Sequence, residues 1–95
     1  SQGVLAGNTL YVAGQIALVG STGQLQNATI RAEMLQVMNN LAAVLKAADM
    51  SFANVVKVTI YLQDLGDFQA VNAVYAEFFT QNPPARETVQ VAALP

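Results

Sequence analysis

The period of the apolar residues changes along this chain, and that change restricts the fold more than any single residue does. Ile30, Met34, Val37, Met38, Leu41, Val44, Leu45 and Ala48 recur at spacings of three and four. That is one apolar face of a helix, and Thr29 stands ready as its N-cap. From Val55 to Leu62 the period drops to two. Val56, Val58, Ile60 and Leu62 then share one side of a strand, and Val55, Lys57, Thr59 and Tyr61 the other. The helical period returns with Phe68, Val71, Tyr75 and Phe78, with Asp67 as a cap, and Asn82-Pro83-Pro84 must stop it. A last strand starts near Arg86. Before the first helix, Val4-Leu5-Ala6 and Thr9-Leu10-Tyr11-Val12-Ala13 flank Gly7-Asn8. Both turn residues tolerate positive φ, which predicts a tight hairpin whose second strand reaches Ile16. The order is β-β-α-β-α-β in an α+β chain of one domain, residues 1–95.

Each strand–helix–strand step favours a right-handed crossover, so both helices are expected on one face of one mixed sheet. The pattern assigns Val56, Val58, Ile60, Val89 and Val91 to that face. It assigns Arg86, Thr88, Gln90, Lys57, Thr59 and Tyr61 to the other, which no element of the chain covers. Composition sharpens the point. Hydrophobic residues make up 54% and charged residues 11%, against about 25% charged in an ordinary soluble domain. A domain of this size buries only roughly 60–65% of its unfolded surface. Apolar surface must remain, and such surface marks association. A homo-oligomer with a small-molecule site at the seam is therefore expected.

Residue types narrow the chemistry. There is no histidine and no cysteine, so His-based acid–base catalysis, thiolate nucleophiles, disulfides and Cys/His metal sites are excluded. Asp64 and Asp67 lack a third ligand nearby and read as turn and cap residues rather than a metal pair. Four Lys+Arg and a net charge of −2 offer no basic stripe for nucleic acid. No apolar run approaches the roughly 20 residues of a membrane span, and no signal-peptide pattern opens the chain. The expectation is a soluble intracellular protein without cofactor or metal, cytoplasmic, with mitochondria as the other compartment. Arg86 stands out, between a Pro-Pro corner and an apolar strand. Its planar fork matches a carboxylate in a bidentate pair.

Four segments, in order, resemble the RidA family, also called YjgF or L-PSP-like. Asn8 to Ile16 resembles the family's N-x-L-Y-x-S-G-Q-I strand. Asn54 to Asp64 resembles V-V-K-x-T-hydrophobic-D. Asp67 to Phe79 resembles D-F-x-x-V-N-x-x-Y-x-x-F-F. Pro84 to Pro95 resembles P-A-R-x-x-V-x-V-x-x-L-P. The resemblance implies a chorismate-mutase-like fold and a homotrimer with clefts between subunits. It implies hydrolysis of 2-imino acids, such as 2-iminopropanoate and 2-iminobutanoate, to 2-oxo acids and ammonia. It implies that Arg86 holds the carboxylate, that backbone near Gly14 and Thr88 holds the nitrogen and the water, and that Asn72 lies near the cleft. The chain departs from the pattern at Ala13 (usually Ser), Thr88 (often Cys), Ala17 (often Pro) and Asp49 (often Gly). Family members also carry a Tyr ahead of the segment matching Ser1-Gln2. They carry a further strand after the segment matching Leu94-Pro95, with a Glu that positions water. The expectation is therefore a RidA-like domain lacking short N- and C-terminal segments.

Blander roles compete with these. Arg86 has the alternative of a surface ion pair with Glu87 or Glu77. Asn72 can be a solvated helix residue, Gly14 a bulge, and Thr88 a good strand former. Three functions follow: the deaminase, a trimer that binds small carboxylates for regulation without turnover, and, last, a ribonuclease or translation inhibitor.

Overall fold

The computed structural model describes residues 1–95. The hairpin is β1 (Gly3–Ala6) and β2 (Thr9–Val12), paired antiparallel with Leu5 beside Leu10. Gly7 alone takes a positive φ, 60°, so one left-handed residue suffices for the turn. The second strand ends at Val12, four residues short of the expected Ile16. Past Val12 the Ala13 N–H still donates to the Gln2 carbonyl at 2.9 Å, and the following segment then leans on the first helix. The Asn40 amide donates to the Ile16 carbonyl at 3.0 Å and to the Leu18 carbonyl at 2.8 Å. Gln36 steadies it by donating to the Asn40 Oδ1 at 2.8 Å. The segment after β2 is thus tied to α1, and Leu18 forms an isolated antiparallel bridge with Leu25.

Helix α1 (Ile30–Ala47) begins at Thr29, whose hydroxyl accepts from the Ala32 amide at 3.0 Å. It ends with Asp49 in the left-handed region at φ 57°. Asp49 N–H donates to Lys46 and Met50 N–H to Leu45, the paired bonds of a Schellman ending. A single turn at Phe52–Asn54 precedes β3 (Lys57–Leu62). A second turn at Leu65–Asp67 leads into α2 (Phe68–Phe78). Asp67 does not cap α2 through its side chain; Asp64 caps the preceding turn, accepting from Gly66 at 2.8 Å. Strand β4 (Ala85–Gln90) closes the order, parallel to β3.

Both strand senses are present, but in two ladders, β1–β2 antiparallel and β3–β4 parallel, rather than one sheet. No backbone hydrogen bond joins them. The core lies between the helices and β3–β4, where Met34 and Met38 of α1 meet Val71, Val74 and Tyr75 of α2 and Leu62 of β3. Phe52, Phe68, Phe78 and Phe79 close its ends. Arg31, off the apolar stripe, crosses to Glu77 on α2 with two bonds, 2.9 and 3.2 Å. Val56, assigned to the core by alternation, is 78% exposed just before β3. Val4, Tyr11, Tyr61 and Val89 are exposed on the strands.

Candidate functional site

The parallel register corrects the expected facing of β4. Val58 pairs with Arg86, Ile60 with Thr88 and Leu62 with Gln90. Side chains at paired positions of neighbouring strands share a face. Arg86, Thr88 and Gln90 therefore face the helices, beside the core residues of β3. Lys57, Thr59, Tyr61, Glu87 and Val89 form the outer face. An arginine can point inward here because α2 receives it. Phe68, Asn72 and Tyr75 recur on one face of α2. Arg86 Nη1 donates to the Asn72 Oδ1 at 2.5 Å. The guanidinium carbon lies 4.7 Å from the Tyr75 ring centroid and 5.4 Å from that of Phe68. Ring faces carry negative potential, so both contacts attract the cation. Gln90 is occupied too, since its Oε1 accepts from the Leu65 amide at 2.9 Å.

A cavity of about 400 Å³ opens at this corner, lined by Asn72, Tyr75, Ala76, Phe79, Pro83, Pro84 and Arg86. It combines one cation, one amide and an apolar wall, the mixture that fixes a small amphipathic anion. A smaller depression of about 180 Å³ beside Phe52, Phe78 and Phe79 contains no ionisable group.

The charges around Arg86 are spoken for. Glu77 is bound to Arg31 at 2.9 Å, and Glu87 to Lys57 at 3.0 Å. Glu87 also accepts from the Thr59 hydroxyl at 3.0 Å. The Lys57 and Thr59 hydrogen bonds, with the Lys57 charge, hold the Glu87 carboxyl below the usual carboxylate range. Both carboxylates that competed for Arg86 thus serve other groups, and Arg86 makes no ion pair. Guanidinium has five N–H donors, and only the bond to Asn72 uses one. The rest have no protein partner.

Of the residues singled out from sequence, Arg86 and Asn72 come together directly. Thr88 lies on the same face two residues on, and its hydroxyl is buried without a partner. Gly14 lies in the segment after β2, outside the lining of the cavity. A Cβ there would meet nothing within 4 Å, so no close approach within the chain demands a glycine. The sequence pattern places the rings of Phe68 and Tyr75 on the core stripe alone. Their spacing with Asn72 was the available signal. Burial pushes the Tyr75 hydroxyl above its ordinary pKa, against the opposing pull of Arg86.

Residues 1–95 match the family model described as Endoribonuclease L-PSP. The chain is 46% identical over 95 residues to the 2-iminobutanoate/2-iminopropanoate deaminase of Homo sapiens, covering 100% of this chain and 69% of that one. The crystal structure of the YjgF gene product from E. coli superposes with a TM-score of 0.91 at 41% identity, covering 99% of this chain and 76% of that one. E. coli TdcF with bound serine gives a TM-score of 0.93 at 35% identity, covering 99% and 76%. The four sequence segments, the fold and these relatives agree: the chain belongs to the L-PSP family, the RidA/YjgF group.

Proposed function

We propose that the protein hydrolyses 2-imino acids, such as 2-iminopropanoate and 2-iminobutanoate, to 2-oxo acids and ammonia, as a homotrimer without a cofactor. The observation that carries this reading is Arg86. It is half-buried beside a cavity, held by an amide and two rings, with no carboxylate partner and with N–H groups free. A 2-imino acid supplies the missing carboxylate, and a bidentate charge-assisted pair would hold it. Water then adds to the imine carbon. A proton moves to nitrogen, the C–N bond breaks, ammonia leaves and the carbonyl forms. The iminium is already electrophilic, so the protein's main task is to orient carboxylate, imine and water. Asn72 acts through Arg86, and the backbone near Gly14 and Thr88 is proposed to hold the nitrogen and the water in a cleft between subunits, since Gly14 lies outside the cavity of the single chain. Human and other relatives that bear the deaminase name support the reading, as does the serine bound by TdcF, which also carries a carboxylate.

The test is ammonia release from 2-iminobutanoate generated by a PLP-dependent dehydratase. Turnover by the wild type and its loss in Arg86→Ala are expected; wild-type rates in Arg86→Ala would overturn the assigned role. The departure at Ala13 favours a second reading, a trimer that binds small carboxylates for regulation. Calorimetric binding of 2-oxobutanoate without turnover would select it. RNA cleavage has less support: there is no histidine, and Arg31 and Lys57 are already paired.

A further inference from the structure

We propose that Tyr75 is a positioning residue for Arg86: the face of its ring, not its hydroxyl, sets the plane of the guanidinium and so the direction in which a substrate carboxylate is held. This rests on the carboxylate-clamp reading above.

Three contacts define the guanidinium, and two of them are rings of α2. Tyr75 is the nearer, at 4.7 Å, against 5.4 Å for Phe68. It is also the more firmly held. Tyr75 is 6% exposed and belongs to the buried core cluster, whereas Phe68 packs at its margin. The Tyr75 ring lies 4.6 Å from that of Phe79, which lines the same cavity. An arginine side chain has many rotamers, and a fixed ring beneath the fork removes those that would swing it away. The Asn72 bond fixes one nitrogen, and the ring fixes the plane. Together they leave the remaining N–H groups pointing in a defined direction.

The hydroxyl has no such task within the chain. It is buried and makes no hydrogen bond. A buried unpaired hydroxyl is destabilising. Phenylalanine would keep the platform without that penalty, which separates the ring from the hydroxyl experimentally.

Only two arginines exist, Arg31 and Arg86. The Arg86 Nε–H signal is therefore assigned in a ¹H–¹⁵N spectrum by its loss in Arg86→Ala. It is expected upfield of Arg31 from the ring current, to stay there in Tyr75→Phe, and to move toward the Arg31 position in Tyr75→Leu. Tyr75→Met serves as a second ring-less variant should Tyr75→Leu melt below the assay temperature. KM for 2-iminobutanoate should rise about tenfold in the ring-less variants, with kcat changed less than about twofold. The Phe variant should restore it. An unmoved Nε–H signal or an unchanged KM in a folded ring-less variant overturns the proposal. Loss of affinity in Tyr75→Phe equal to that in Tyr75→Leu overturns the assignment to the ring. If wild type neither binds 2-oxobutanoate nor releases ammonia while the Nε–H signal still depends on Tyr75, the carboxylate reading falls and the ring–guanidinium geometry stands.

Discussion

The two faces of the β3–β4 ladder each hold a cation, and they treat it differently. On the outer face Lys57 meets Glu87 at 3.0 Å, and Thr59 completes a closed triad. On the inner face Arg86 meets an amide and two aromatic rings, and no carboxylate. The outer arrangement is electrically finished. Both of its partners are about half exposed, where ion pairs contribute little to stability. The inner arrangement holds a positive charge in place while leaving its strongest valence open. A charge kept partly out of water without a counter-ion carries a cost that a surface pair does not. That difference is the ground for the proposed role: a cation positioned without being neutralised can receive an anion, whereas a neutralised one can only brace the ladder.

The sharpest way to break the comparison is to remove the inner cation. Arg86→Ala should lower kcat/KM for 2-iminobutanoate by about 10²-fold or more, since two charge-assisted bonds, each worth about 1.5–3 kcal/mol, are lost. A drop smaller than about threefold would make Arg86 another structural cation. Arg86→Lys comes next. It keeps the charge and loses the fork, so about a tenfold loss is expected, with most of it in KM. Equal rates for Lys and Arg would mean that charge alone matters and that the planar cradle of α2 is incidental. Asn72→Ala should cost less, roughly threefold to tenfold, because it frees one Nη1 donor while the rings still hold the plane. Its effect should vanish in an Arg86→Ala background, a double-mutant test of whether Asn72 works through Arg86.

Much of this was legible in the sequence. Helices and strands followed from the switch between periods of 3.6 and two. The identity of Arg86 and Asn72 as candidates followed from residue scarcity and family motifs. The facing of β4 did not. In Arg86-Glu87-Thr88-Val89-Gln90 either phase puts polar groups inside. Hydrophobicity alone turned Val89 inward, and a one-residue change of phase exchanges the faces. What decided the matter was a tertiary fact: α2 presents two rings and an amide at the spacing that accepts a guanidinium. The course of the chain after β2 depends on a contact of the same kind, the reach of Asn40 from α1 to the Ile16 and Leu18 carbonyls. Neither partner lies near its target in sequence, so no local pattern announces the contact.

The smallest expected effect belongs to the outer face. Glu87 is held below the ordinary carboxylate range by the Lys57 hydrogen bond first, then by Thr59 and the Lys57 charge. Its folded pKa is thus lower than its unfolded one, and the folded state prefers the ionised form. The resulting stability is fully present above the unfolded value of 4.5 and is lost as pH falls from there through the depressed folded value. Glu87→Gln removes the titrating group. Its melting temperature should fall slightly below that of wild type at neutral pH, and the gap should close under acid and shrink in high salt. Turnover should stay within about twofold, because Glu87 faces away from Arg86 across the ladder. Parallel acid melting curves for wild type and Glu87→Gln would show that the outer triad is not coupled to folding. A turnover loss rivalling that of Arg86→Ala would erase the distinction between the two faces, since both cations would then serve one site.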